Sequence, residues 1–166
     1  MSNENTVAKL LELAIGAEKA AEELYRQLEA KFAQHQDVAD FWRGYAAEEA
    51  GHARWLQKLR DTQSPEQLSA PADPSILKEA YMLAQFSTEH ALKQVKTLED
   101  AYQLVNELEN SETNMVFEFL ITNYSSDKEA QSFLRSQLKD HIARLVVEFP
   151  ARFRQRASRQ ATRALE

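Results

Sequence analysis

The chain of 166 residues contains no cysteine. Disulfides, thiolate zinc sites, iron–sulfur clusters and cysteine nucleophiles are thereby excluded. Glycine occurs three times and proline four times, too rarely for a chain broken by frequent turns. Alanine, leucine, glutamate, glutamine and lysine fill the space, and these strong helix formers make all-α the expected class, in one domain. No run approaches about 18 consecutive apolar residues, so no membrane span is expected. The opening stretch, MSNENTVAKLLELAIGAEKA, lacks the basic start and unbroken apolar core of an export signal, and the cytoplasm is the expected compartment. A net charge of −6 argues against general nucleic-acid binding. That charge is uneven. Residues 151–166, ARFRQRASRQATRALE, hold five arginines and one glutamate, a net +4, so the preceding 150 residues carry −10.

Four segments carry helical periodicity. The first repeats Val7, Leu11, Ala14, Glu18, Ala21, Tyr25, Leu28 and Phe32. The second follows the cap-like Asp37 with Val38, Phe41/Trp42, Tyr45, Glu49, His52, Leu56 and Leu59. The third, roughly 97–124, repeats Ala101, Val105, Leu108, Glu112, Met115 and Phe119, widened by Leu98, Tyr102, Glu109 and Val116. The fourth starts near Ser125-Ser126-Asp127 and repeats Ala130, Leu134, Leu138, His141, Leu145 and Phe149 before Pro150 stops it. Short turns near 33–37 and 124–127 pair these as two antiparallel hairpins, which read as a divergent internal repeat. The proline-marked link after Thr62 leads into a further helical stretch, PSILKEAYMLAQFSTEHALKQV, and forms a crossover over about 62–96. The expected fold is an antiparallel four-helix bundle over 1–150 with that crossover between helices two and three. Residues 151–166 are expected to add a basic C-terminal helix or tail.

Each stripe is interrupted by a Glu or His near its middle. A buried carboxylate costs several kcal/mol unless something pairs with it, so the interruptions need a cause. Counted from the turns and converted at about 1.5 Å per residue, Glu18, Glu49, His52, Glu109, Glu112 and His141 fall within a few ångströms of one level. Glu107 falls outside this set, on the polar face with Gln103. Glu49-x-x-His52 puts two donors on one helix face. Bundle-core metal sites use this motif with carboxylates from neighbouring helices. Carboxylate oxygen with imidazole nitrogen suits iron or manganese, with zinc also possible.

The stretch AIGAEKAAEELYRQLEAKFAQHQDVADFWRGYAAEEAGHARWLQKL resembles the first hairpin of the rubrerythrin branch of the ferritin-like di-iron carboxylate superfamily. There a Glu seven residues before a Tyr, followed at a distance by Glu-x-x-His, supplies half of a dinuclear iron site. The resemblance implies Glu18, Glu49 and His52 as ligands, with Tyr25 beside them, and it extends over about 7–149. Glu109-x-x-Glu112 resembles the paired carboxylates that rubrerythrins carry on the third helix, and Glu109, Glu112 and His141 would hold a second ion. The chain departs from the family at Leu138, where a second Glu-x-x-His would place its Glu; Gln137 offers only a neutral oxygen. It also lacks the rubredoxin-like four-cysteine domain, so electrons would come from another protein. The implied activity is Fe(II) oxidation coupled to reduction of peroxide or oxygen, in a homodimer holding one or two irons per chain. The alternative is a degenerate ferritin-like module with one metal or none, acting in interaction or iron storage.

Elsewhere the expectations are structural. His35 and His90 read as surface residues, and Trp42, Trp55 and Tyr45 as core or interface. Gly16, Gly44 and Gly51 lie inside helices, where each costs about 1 kcal/mol against Ala, and close packing against a neighbouring helix or subunit is the expected reason. The arginines at 152, 156, 159 and 163 make one helical stripe, read as solvated or docked on the acidic body.

Overall fold

The computed structural model describes residues 3–109 and 113–149. Among these are eight α-helices and no strand beyond an isolated Thr6–Pro71 bridge. The described residues have the all-α architecture expected from the sequence. Two long helices, α1 (Val7–Lys31) and α2 (Gln36–Thr62), form the first antiparallel hairpin. Three short helices carry the crossover: α3 (Pro65–Ser69), α4 (Pro74–Ala84) and α5 (Thr88–Gln94). The second half consists of α6 (Leu98–Glu109), α7 (Thr113–Tyr124) and α8 (Lys128–Glu148). The single helix expected over 97–124 is thus described as two stretches, α6 and α7. Glu112 between them, and the basic segment 151–166, lie outside the described residues. No helix of the described residues is long and apolar enough to cross a membrane.

Local chemistry sets the helix ends. Thr6 caps α1 by accepting from Lys9 N at 3.3 Å, and Asp127 caps α8 by accepting from the amides of Glu129 and Ala130. Ser64 and Gln67 close a capping box at α3, with Pro65 in the first turn, where its missing N–H is harmless. Asp73 and Pro74 repeat this start at α4, where the Asp73 side chain takes the amides of Ser75 and Ile76. The helical stretch expected as one over 74–95 ends at Ala84 and restarts behind Ser87, whose hydroxyl accepts from His90 N. Asp37, expected as the cap of α2, lies inside its first turn; His35 holds the cap position and makes no side-chain cap bond. The crossover is pinned to the start of the chain by Val7 N to Ala70 O at 3.0 Å and Ala72 N to Asn5 O at 2.9 Å.

Burial divides the bundle into two apolar clusters. One gathers Leu10, Leu11, Ala14, Leu56, Phe117, Leu120 and Leu134 with the crossover's Leu77 and Ala80. The other gathers Leu24, Tyr25, Leu28, Trp42, Tyr45, Val105, Leu145 and Phe149. Each large side chain buried this way contributes about 1.5–3 kcal/mol, so the clusters hold the four long segments in register from both ends. Each segment passes from one cluster to the other, and the residues at the passage are polar. Glu18 lies between Ile15 and Ala21, Glu49 between Ala46 and Ala53, and His141 between Leu134 and Leu145.

Two expectations change here. Met115 is 42% exposed, and burial on α7 falls on Val116, Phe117, Leu120 and Ile121. The helix faces α4 as well as α8, which rotates its inner face by about one position. The glycines do not mark tight packing among the described residues: there a Cβ at Gly16 or Gly44 would meet nothing within 4 Å, and at Gly51 only the end of Arg54 at 3.8 Å.

Candidate metal centre

The waist between the clusters is lined by five buried polar side chains: Glu18 (4% exposed), Glu49 (5%), His52 (1%), Glu109 (6%) and His141 (1%). They come from α1, α2, α6 and α8, so the site exists only when the bundle is closed. They form two triads, Glu18–Glu49–His52 and Glu49–Glu109–His141, each offering three donor atoms within 4.8 Å of one another. Glu49 belongs to both. Its Oε2 lies 3.2 Å from His52 Nδ1 and its Oε1 lies 3.4 Å from His141 Nδ1. His52 Nδ1 is also 3.6 Å from Glu18 Oε2, and His141 Nδ1 is 3.1 Å from Glu109 Oε2.

These spacings fit a metal. Donors bound at about 2.1 Å stand roughly 3.0–3.4 Å from one another in octahedral or tetrahedral geometry. Three carboxylates with two imidazoles make a hard, anionic donor set suited to iron, manganese or zinc. Both histidines turn Nδ1 inward, while their Nε2 atoms are held from outside. His52 Nε2 meets Gln137 Oε1 at 3.1 Å. His141 Nε2 meets Glu48 Oε2, which also accepts from Arg144 Nη2. A ligand histidine whose far nitrogen donates to an oxygen is fixed in tautomer and orientation.

Electrostatics reflect the crowding of carboxylates around the two histidines. Burial, followed by the adjacent Glu18, pushes the Glu49 carboxyl up to about 8 against the opposing pull of His52. Burial disfavours a charged His52, but hydrogen bonds to Glu18 and Glu49 outweigh it and raise the ring to about 10. The same contest at His141, between burial and its bonds to Glu109 and Glu48, ends at about 9. Glu48 is half-desolvated, which alone would raise it; its bonds to His141 and Arg144 bring it down to about 2. All four ring nitrogens face oxygen acceptors, so two imidazolium ions satisfy the site in the metal-free state.

Tyr25 is fully buried and donates its hydroxyl to Glu109 Oε1. Burial, with the charges of Glu109 and Glu49, raises its pKa well above the usual phenol value. Tyr45 stacks on His141 with centroids 5.0 Å apart and donates to the His141 carbonyl, while the Arg144 guanidinium lies 5.2 Å from the Tyr45 ring.

The structure therefore brings Glu18, Glu49, His52, Glu109 and His141 to one place, with Tyr25 against them. Glu112 lies outside the described residues. Leu138 is half-buried and packs with the Leu10–Phe117 cluster, while Gln137 is the α8 side chain that reaches His52. Glu107 is exposed. Sequence reasoning missed Glu48 and Arg144. Glu48 lies three residues after Tyr45 and four before His52, on the edge of the same stripe, which was its only signal. A groove of about 330 Å³ between α2 and α8, lined by Ala47, Gly51, Trp55 and Phe133, runs down to His52 and Gln137.

A comparison with protein families matches the family described as Rubrerythrin over residues 9–136. The match takes in Glu18, Glu49, His52 and Glu109 and ends before His141. No curated protein and no solved structure matches the chain.

Proposed function

The chain belongs to the rubrerythrin family, and from that membership we propose that it is a non-haem iron protein that couples Fe(II) oxidation to reduction of peroxide or oxygen. The observation that carries this reading is the sharing of Glu49 between two histidine-bearing triads. A carboxylate with one oxygen toward each triad suits a pair of ions, because it neutralises charge between two cations that would otherwise repel. In this reading Glu18, Glu49 and His52 would hold one iron and Glu49, Glu109 and His141 the other, and Glu112 would be a further oxygen donor to the second. Bound iron would supply the redox chemistry, and the chain its placement and electrostatics.

The residues around the ligands have their own tasks. Glu48 holds His141 with Nδ1 inward, and Gln137 does the same for His52. Tyr25 donates to Glu109 and so leaves its other oxygen toward His141. The two apolar clusters close the waist at either end, and the groove between α2 and α8 leads to His52. Electrons would come from a separate donor protein, in a cytoplasmic homodimer. Leu138 favours a second reading, a ferritin-like module with one metal or none.

Anaerobic Fe(II) titration followed by mixing with peroxide separates the two. The redox reading expects about two Fe(II) bound per chain and oxidised faster than Fe(II) free in buffer. Binding of none, or oxidation no faster than in buffer, favours the module.

A further inference from the structure

One aromatic cluster adjoins the waist in an arrangement that metal holding does not require. The ring of Tyr25 lies parallel to that of Trp42, with centroids 6.0 Å apart and planes 1° apart. Trp42 meets Phe149 at 5.5 Å, and Phe149 meets Tyr102 at 5.2 Å. Tyr25 and Trp42 are fully buried, whereas Tyr102 is half-buried at the edge of the bundle. A continuous series of ring contacts thus runs from the Glu109 carboxylate to the surface, and three of its four rings are oxidisable. Trp42 Nε1 is buried with no hydrogen-bond partner among the described residues. An unmet buried donor is destabilising, a cost that phenylalanine at this position would not carry.

We propose that Tyr25 and Trp42 form an electron relay between the carboxylate site and the surface at Tyr102, where electrons from a donor protein enter. The relay rests on the redox reading above. Each pass moves one electron inward. Tyr25 gives an electron to the oxidised site and its phenolic proton to Glu109 Oε1, along their existing hydrogen bond. Trp42 then gives an electron to Tyr25, and the proton returns to the phenol oxygen. With no acceptor for its indole proton among the described residues, Trp42 is left as a radical cation, which Tyr102 refills across the Phe149 ring while its own phenolic proton leaves to solvent. The donor protein returns an electron to Tyr102, which takes a proton back from solvent. Two passes supply the two electrons that, with two protons from solvent, reduce one peroxide to two waters. Tyr25, Trp42 and Tyr102 end unchanged.

Two measurements separate the relay from the reading it rests on. In metal-free protein, a photogenerated ruthenium(III) polypyridyl complex withdraws an electron at the surface, and transient absorption and electron paramagnetic resonance follow the hole. Tyr25 is the expected resting place, because its hydrogen bond to Glu109 accepts the proton that oxidation releases. The expected tyrosyl radical disappears in Tyr25→Phe. It forms on the order of tenfold more slowly in Trp42→Phe, and the oxidisable Trp42→Tyr restores the rate. An unchanged rate in Trp42→Phe, or no radical at Tyr25, overturns the relay whether or not the protein binds metal. In Fe(II)-loaded protein mixed with peroxide, the same Tyr25 radical is expected; Fe(II) oxidation without it overturns the relay. Failure to bind Fe(II) overturns the redox reading instead, and the metal-free measurement then decides the relay.

Discussion

His141 Nδ1 lies 3.4 Å from Oε1 of Glu49, across the contact between α8 and α2. The second oxygen of that carboxylate faces His52 on its own helix. One side chain therefore ties both histidines together, and its loss should not be local to one triad. Glu49→Gln keeps the volume and removes the charge. Residues that merely orient a ligand cost about 10–100-fold in metal affinity, so this variant is expected to lose more than that at both triads while keeping its helix content. Competition with a chelator, alongside circular dichroism, checks it; an unchanged affinity at either triad contradicts the sharing.

Glu48 acts at one remove. It accepts from His141 Nε2 and from Arg144, and Gln in its place keeps an oxygen but loses the charge that steadies both. Glu48→Gln is expected to weaken binding at the Glu49–Glu109–His141 triad by about 10–100-fold and to leave the His52 triad unchanged. Equal loss at both triads would show that Glu48 supports the fold rather than His141.

The protonation of the metal-free waist sets a sign. His52 and His141 titrate near 10 and 9 in the folded chain, above the usual value of 6.5. Their stabilisation is complete below about pH 6.5 and is lost as pH rises through 9 to 10. Glu49, raised to about 8 from 4.5, binds its proton more tightly folded than unfolded, so it lowers stability as pH rises from about 4.5 to about 8. All three make the folded state hold more protons, and metal-free stability should fall between about pH 7 and 10. Metal must displace these protons. Calorimetry at pH 7 in two buffers of different ionisation enthalpy should therefore report proton release on binding. Stability that rises across this window, or binding without proton release, contradicts the assignment.

Much of this arrangement is legible in the order of residues. A 3.6 period shows that Glu18, Glu49, Glu109 and His141 interrupt apolar stripes, and counting from the turns places them at one level. What a period cannot resolve is which of two adjacent residues faces a partner on another helix. Glu48 and Glu49 differ by one position, yet one reaches the back of His141 and the other its front. That choice depends on Arg144 and His141, about 96 positions away in the chain. Met115 fails for a similar reason, since the inner face of α7 is set jointly by α4 and α8. The sharing of Glu49 is a property of distances between helices, which no single stripe contains.

Leu138 offers a gain-of-function test. It is half-buried among apolar neighbours, so Leu138→Glu should destabilise the metal-free protein by about 1–3 kcal/mol through lost packing and a desolvated carboxyl. If a carboxylate three residues before His141 can reach metal, Fe(II) should stabilise this variant more than the parent chain, by about 1.4 kcal/mol or more, a tenfold gain in affinity. Thermal unfolding with and without Fe(II) gives both numbers. An equal or smaller metal-dependent shift would show that position 138 does not face the site.

The central claim is that two ions lie on either side of the Glu49 carboxylate. Anomalous diffraction from crystals of the Fe(II)-loaded protein, recorded at the iron edge, tests it most directly. Two peaks are expected, one within coordination distance of Glu18, Glu49 and His52 and the other of Glu49, Glu109 and His141. No peak at the waist, or a single peak not touching Glu49, contradicts the account.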